Sequence, residues 1–149
     1  MRRAGIILCG GRSSRMGGDK ASLPFGRETL LARVLRRLAA MLDTVVVVAA
    51  ARQPLPPSSR GIIVVRDSLA NHGPLEGLRC GLAALSSTHE AALVTGCDVP
   101  FLSSAFVDCL FQRLGHAAAA VVYDPPHYWP LPAVYRRDLA PLCARLFVL

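Results

Sequence analysis

The sequence predicts an α/β fold with a mainly parallel sheet, and three features carry that expectation. Apolar runs rich in β-branched residues alternate with segments of helical period. Those runs are continuously apolar, as strands covered on both faces must be. Polar and glycine-rich segments follow most of the runs, at 9–20, 66–73, 96–100 and 124–130. In an open parallel sheet the loops after strand carboxyl ends share one edge, and ligands bind there. Residues far apart in sequence are therefore expected to meet in one crevice.

Taken in order, strands are expected at Ala4–Leu8, Thr44–Ala50, Ile62–Val65, Ala91–Thr95 and Ala117–Tyr123, with a short one near Leu131–Tyr135. Between the first two, Thr29–Leu42 has helical period. Its Leu30, Leu31, Val34, Leu35, Leu38 and Leu42 form one apolar face, and Arg33, Arg36 and Arg37 are expected to face water. Pro74 suits the first turn of a helix running to about Leu85. Ser103 or Ser104 caps a third helix, which ends near Gly115. "RQPLPPSSR", Arg52–Arg60, reads as a proline-rich surface loop. No internal repeat is present.

The 149 residues suit one domain. Hydrophobic residues make up 52% and charged ones 18%, which excludes a disordered chain. The longest wholly apolar run, Val45–Ala51, is far too short to span a membrane. The chain passes from Arg2-Arg3 into an apolar run and a glycine loop, leaving no room for a secretory signal. Cys9, Cys80, Cys97, Cys109 and Cys143 form no C-x-x-C pair and read as buried thiols of a reducing cytoplasm. The net charge of +7 raises nucleic-acid binding. The arginines are scattered, with few aromatics among them to stack bases, and a compositional bias toward arginine accounts for the charge. No nucleic-acid or membrane partner is expected.

The most informative stretch is "LCGGRSSRMGGDK", Leu8–Lys20, with four glycines, two arginines and a lysine in thirteen residues. Lys20 is the only lysine of the chain; the other sixteen basic residues are arginine. A glycine-rich turn after a strand lets backbone N–H groups approach a ligand, and successive N–H groups form a nest for phosphate oxygens. Arginine supplies a planar fork for phosphate and lysine a compact, mobile charge, so Arg15 and Lys20 suit one polyphosphate. The pattern is neither G-x-G-x-x-G nor G-x-x-x-x-G-K-[ST]. A flexible loop with ordinary surface charges is the alternative.

This stretch resembles the L-A-G-G-x-S-x-R-M-G-x-D-K signature of the MobA-like nucleotidyltransferases, and within that family the molybdenum cofactor guanylyltransferases. "VVRDSLANHGPLEGLRCGL" (64–82), "LVTGCDVPFL" (93–102) and "WPLPAVYRRDL" (129–139) agree with the family in order and spacing. The resemblance implies a single-domain, three-layer, Rossmann-like fold of nucleotidyltransferase type over residues 1–149. It implies transfer of GMP from GTP to the phosphate of molybdopterin or the molybdenum cofactor, with release of pyrophosphate. Leu8, Cys9, Gly10, Gly11, Lys20, Asp67 and Asp98 then match nucleotide-binding positions. Arg15, Lys20 and Asp98 carry catalysis, with Asp98 as the ligand of Mg²⁺. A carboxylate at that edge suits Mg²⁺, which often takes one carboxylate plus substrate phosphates. For Asp98 a turn-capping role is the alternative; for Asp67 it is a helix cap or turn. "GPLEG", Gly73–Gly77, resembles the guanylyl more than the cytidylyl enzymes, which carry a serine-bearing segment there.

The partners implied are GTP, molybdopterin or the molybdenum cofactor, and proteins of molybdenum-cofactor biosynthesis or molybdoenzyme maturation. Three departures stand out. Cys9 replaces the usual alanine, a small-for-small change. Ala49 stands where the family often has asparagine. Family members continue for several tens of residues to a further strand and helix, whereas this sequence stops at Leu149. His72, His89, His116 and His127 have no metal-ligand spacing and read as surface residues. Tyr128-Trp129 suits either an acceptor pocket or simple packing. Cys97 is expected to pack the strand end. A related transferase using CTP or another phosphorylated acceptor, and a non-catalytic nucleotide-binding module, are the competing functions.

Overall fold

The computed structural model describes residues 2–10, 19–56, 61–67 and 73–147. In chain order these hold strands β1 (Arg2–Leu8), β2 (Pro24–Phe25), β3 (Glu28–Thr29), β4 (Thr44–Ala50), β5 (Ile62–Asp67), β6 (His89–Gly96), β7 (Ala119–Asp124) and β8 (His127–Arg136). The α-helices are α1 (Leu30–Met41), α2 (Gly73–Ala83), α3 (Ser104–Leu114) and α4 (Ala140–Leu146), with short 3₁₀ turns at Lys20–Ser22 and Arg137–Leu139. Six strands form one sheet in the order β5-β4-β1-β6-β8-β7, and β2 pairs with β3 as a separate hairpin. β5, β4, β1 and β6 run parallel, whereas β8 is antiparallel to both of its neighbours. The expected mainly parallel sheet is the one observed.

Alternating side chains send β1 into two cores. On one face Ile7 joins Leu31, Val34 and Leu38 of α1 and Val107, Leu110 and Phe111 of α3. On the other, Ala4 and Ile6 pack with Cys80 and Leu82 of α2, and Leu139 and Ala140 lie against the same cluster. The result is three layers. α2 lies close to the sheet because Gly81 has no side chain: a Cβ there would stand 2.5 Å from Ile6 Cγ2. Thr29 caps α1, its Oγ1 accepting from Ala32 N at 3.1 Å, and Ser103, one of the two expected candidates, caps α3, its Oγ accepting from Phe106 N at 3.2 Å.

Several expectations need correction. Arg33 and Arg37 do not simply face water. Arg37 donates twice to the Leu102 carbonyl, at 3.0 and 2.7 Å, and Arg33 donates to the Pro100 carbonyl at 3.4 Å. Only Arg36 is exposed, pairing with Glu28. The long aliphatic stems let both arginines lie along the helix while their heads reach a neighbouring loop. His89 is buried, not superficial: its ring bridges Ser86 Oγ and Thr44 Oγ1, each at 3.0 Å. Four cysteines are buried as expected, but Cys109 is exposed. The segment 124–130 is mostly strand, not loop, because β8 starts at His127. β5 is an edge strand, with Ile63 and Val64 each 40% exposed, so it is not covered on both faces.

Candidate active site

Four strands bring their carboxyl ends to one edge: β5 at Asp67, β4 at Ala50, β1 at Leu8 and β6 at Gly96. Leu8 pairs with Gly96, so Cys9-Gly10 and Cys97-Asp98 leave the sheet side by side. Lys20 returns to this edge through a 3₁₀ turn capped by Asp19, whose Oδ1 accepts from Ala21 N at 3.0 Å. Lys20 Nζ then lies 3.7 Å from Asp98 Oδ2, with 42% of the lysine side chain and 54% of the aspartate exposed. The structure thus joins two of the expected site residues from distant parts of the chain, both open to a ligand.

Gly96 permits this geometry. A Cβ at that position would stand 2.7 Å from Asp98 Oδ1, so the carboxylate folds back over space that only glycine leaves. Behind it, Arg33 and Arg37 hold the carbonyls of Pro100 and Leu102. A groove of about 450 Å³ runs from Asp98 past Pro100 and Phe101 to Phe106 and Pro132. Phe101 is largely exposed and packs edge-to-face on Phe25, with ring centroids 5.6 Å apart.

Gln53 is the residue the sequence reading missed. Its Nε2 donates to the Cys9 carbonyl at 3.1 Å and to Asp19 Oδ1 at 2.8 Å, while its Oε1 accepts from Ala50 N at 3.1 Å. One amide therefore ties the ends of β1 and β4 to the lysine turn. Because it lies in the proline-rich segment taken as surface loop, only its amide chemistry could have marked it. Ala49 is fully buried and contributes packing alone.

Asp67 lies apart from the Lys20–Asp98 pair. Its carboxylate, that of Glu76 and the thiol of Cys80 all lie within 4.8 Å of one another. By distance this group could hold a metal, but its chemistry does not suit Mg²⁺. Glu76 is wholly buried and both its oxygens accept from Arg79, at 2.7 and 2.6 Å. Cys80 Sγ donates to Glu76 Oε1 at 3.2 Å, and a thiol is a soft ligand. Burial and the hydrogen bond to Glu76 push the Cys80 thiol up to about 11, so it stays protonated at neutral pH. Arg79→Met would remove the bidentate partner of a buried carboxylate. It is expected to lower unfolding stability by about 3 kcal/mol in urea titrations; a loss under about 0.5 kcal/mol, as at an ordinary surface site, would contradict this account of the pair.

The exposed Asp98 carboxylate is the better fit for a hard cation, which takes oxygen ligands and keeps several waters. Leu8, Cys9 and Gly10 stand where expected; Gly11 and Arg15 lie outside the described residues, as does His72. Tyr128 stacks on Tyr123 with centroids 4.6 Å apart, and with Trp129 it sits exposed on the β7–β8 hairpin, outside the lining of the groove. Cys97 is buried at the strand end as expected, in the same core as Cys9.

Comparison with known proteins places this architecture. The sequence profile of the MobA-like NTP transferase domain matches residues 5–148. The chain belongs to that family. Two relatives are described as "Probable molybdenum cofactor guanylyltransferase". The protein from Methanosarcina mazei is 37% identical over 155 residues, covering 97% of this chain and 68% of its own. That from Mycobacterium avium is 41% identical over 152 residues, covering 98% and 75%. Among solved structures, molybdopterin-guanine dinucleotide biosynthesis protein A of Archaeoglobus fulgidus superposes with a TM-score of 0.72 at 18% identity, covering 98% of this chain and 73% of the other. As in other MobA-like NTP transferases, the chemistry to be explained is nucleotidyl transfer.

Proposed function

We propose that the protein transfers GMP from GTP to the phosphate of molybdopterin or the molybdenum cofactor, releasing pyrophosphate. The observation that carries this reading is the Lys20–Asp98 juxtaposition, 3.7 Å across, beside the Cys9-Gly10 backbone. The names of the two relatives support the choice of guanine nucleotide and acceptor. Leu8, Cys9, Gly10 and Gly11 approach the nucleotide with their backbone, and Asp67 reaches it from the end of β5. The attacking phosphate is already an anion, so no protein base is required. Catalysis rests on positioning and charge neutralisation. Lys20 and Arg15 stabilise pyrophosphate as it leaves. Asp98 would hold Mg²⁺, which when bound polarises the α-phosphate.

Gly96→Ala is expected to displace the Asp98 carboxylate and lower kcat/KM by about 10²-fold, the order that a 1 Å misplacement costs, with little change in circular dichroism. Full activity would show that Asp98 need not fold over Gly96.

No helix among the described residues is long and apolar enough to cross a membrane. The five free thiols suit the cytoplasm as the working compartment, with proteins of molybdenum-cofactor biosynthesis or molybdoenzyme maturation as partners. One domain over residues 1–149 completes the reading. The deciding assay mixes the protein with Mg²⁺, GTP and molybdopterin and follows pyrophosphate and the dinucleotide product. Both are expected with GTP and not with CTP; nucleotide binding without pyrophosphate would overturn the enzymatic reading.

A further inference from the structure

Cys9 and Cys97 follow Leu8 and Gly96, the last paired residues of β1 and β6. They therefore leave the carboxyl edge as direct neighbours on one face of the sheet, and both belong to the same core. They are 6% and 5% exposed. The transfer chemistry uses neither sulfur. Neighbouring strands run about 4.8 Å apart, within the roughly 4.4–6.8 Å between Cα atoms that a disulfide bridges. Two thiols held this way need little backbone movement to join.

We propose that Cys9 and Cys97 form a dithiol modification site, which a hydroperoxide closes to a disulfide, and that closure weakens nucleotide binding at the adjoining loop. Hydrogen peroxide is small enough to suit so confined a pair. In the first step one sulfur attacks the peroxide, whose O–O bond breaks. That sulfur becomes a sulfenic acid, and the other oxygen leaves as water with the thiol proton. The second sulfur then displaces the sulfenic hydroxyl, which leaves as a second water with the second thiol proton. The two sulfurs lose two electrons in all and the two peroxide oxygens gain them. A dithiol reductant reverses the bond by exchange.

The consequence for the site follows from what surrounds the pair. A disulfide sets the sulfurs about 2 Å apart, closer than two thiols in contact, so both side chains turn toward each other and the two strand ends make a small adjustment. Cys9 is anchored by its N–H to the Val48 carbonyl at 2.8 Å and by its carbonyl to Gln53 at 3.1 Å. The shift is therefore passed to Gly10 on one side and to Asp98, one residue from Cys97, on the other. This second half of the proposal rests on the nucleotide site proposed above; the first half does not.

The test treats the reduced full chain with hydrogen peroxide, blocks the remaining thiols by alkylation and maps the linked peptides by mass. A Cys9–Cys97 linkage with loss of two hydrogens is expected, reversed by dithiothreitol. The calorimetric Kd for Mg·GTP should rise about tenfold or more on oxidation and return on reduction. In Cys9→Ala and Cys97→Ala variants the linkage should be absent and the Kd unchanged by oxidation. Peroxide that oxidises exposed Cys109 without linking Cys9 to Cys97 overturns the site. A linkage that leaves the Kd unchanged overturns its effect on binding. If the reduced chain binds no nucleotide, the functional reading has failed, and the modification site stands or falls on the mapped linkage alone.

Discussion

Lys20→Ala is expected to lower kcat/KM for guanylyl transfer by about 10²-fold or more, the loss that follows removal of one preorganised charge donor. The reason lies in where the lysine stands. Its turn is capped by Asp19, Asp19 is held by Gln53, and Gln53 is bonded to the end of β1. The ammonium is thereby delivered 3.7 Å from Asp98 while 42% of its side chain stays open. That is a position to follow charge as it moves from the α-phosphate to the leaving pyrophosphate. Lys20→Arg should recover only part of the activity, since a planar fork replaces a mobile point charge. Steady-state kinetics on the alanine variant decide the matter, and activity within tenfold of the native protein would remove Lys20 from the mechanism.

Asp98→Asn is the second large effect, about 10³-fold in kcat/KM, with a rise in the Mg²⁺ concentration needed for half-maximal rate. Asparagine keeps the shape of the side chain and removes its charge. It offers a cation one neutral oxygen in place of a carboxylate and leaves Lys20 without its anionic neighbour. A merely structural aspartate would give a lower melting temperature and an unchanged Mg²⁺ requirement. Titration of activity against Mg²⁺ separates the two. An unchanged half-saturating concentration with near-native rate would contradict the assignment.

Much of this was legible in the chain. The apolar stripe from Leu30 to Leu42 became α1, and the continuous runs at Thr44–Ala50 and Ala91–Thr95 became central strands, because burial on both faces leaves a pattern that sequence shows directly. The edge location of Lys20 and Asp98 also followed from topology alone. What stayed hidden was of three kinds. β2 and β3 are two residues each, too short for any period to register. β8 was expected only near Leu131–Tyr135, and its start at His127 was missed because prolines such as Pro130 and Pro132 argue against a strand. The structure tolerates them because β6 pairs with β8 only from Ala133 to Arg136, so the proline segment lies beyond that ladder. Arg33, Arg37 and Gln53 act through long side chains that reach across the fold. No local pattern records which carbonyl or carboxylate such a side chain will find. The placement of the Asp67 carboxylate beside Glu76 and Cys80 was hidden in the same way.

The central claim is that the edge formed by Cys9-Gly10, Lys20 and Asp98 binds a guanine nucleotide with its metal. Calorimetric titration of GTP, CTP and ATP, each with and without Mg²⁺, tests it most directly. Preferential binding of GTP that strengthens with Mg²⁺ is the predicted result. Equal affinity for all three, or no binding to any, would contradict it.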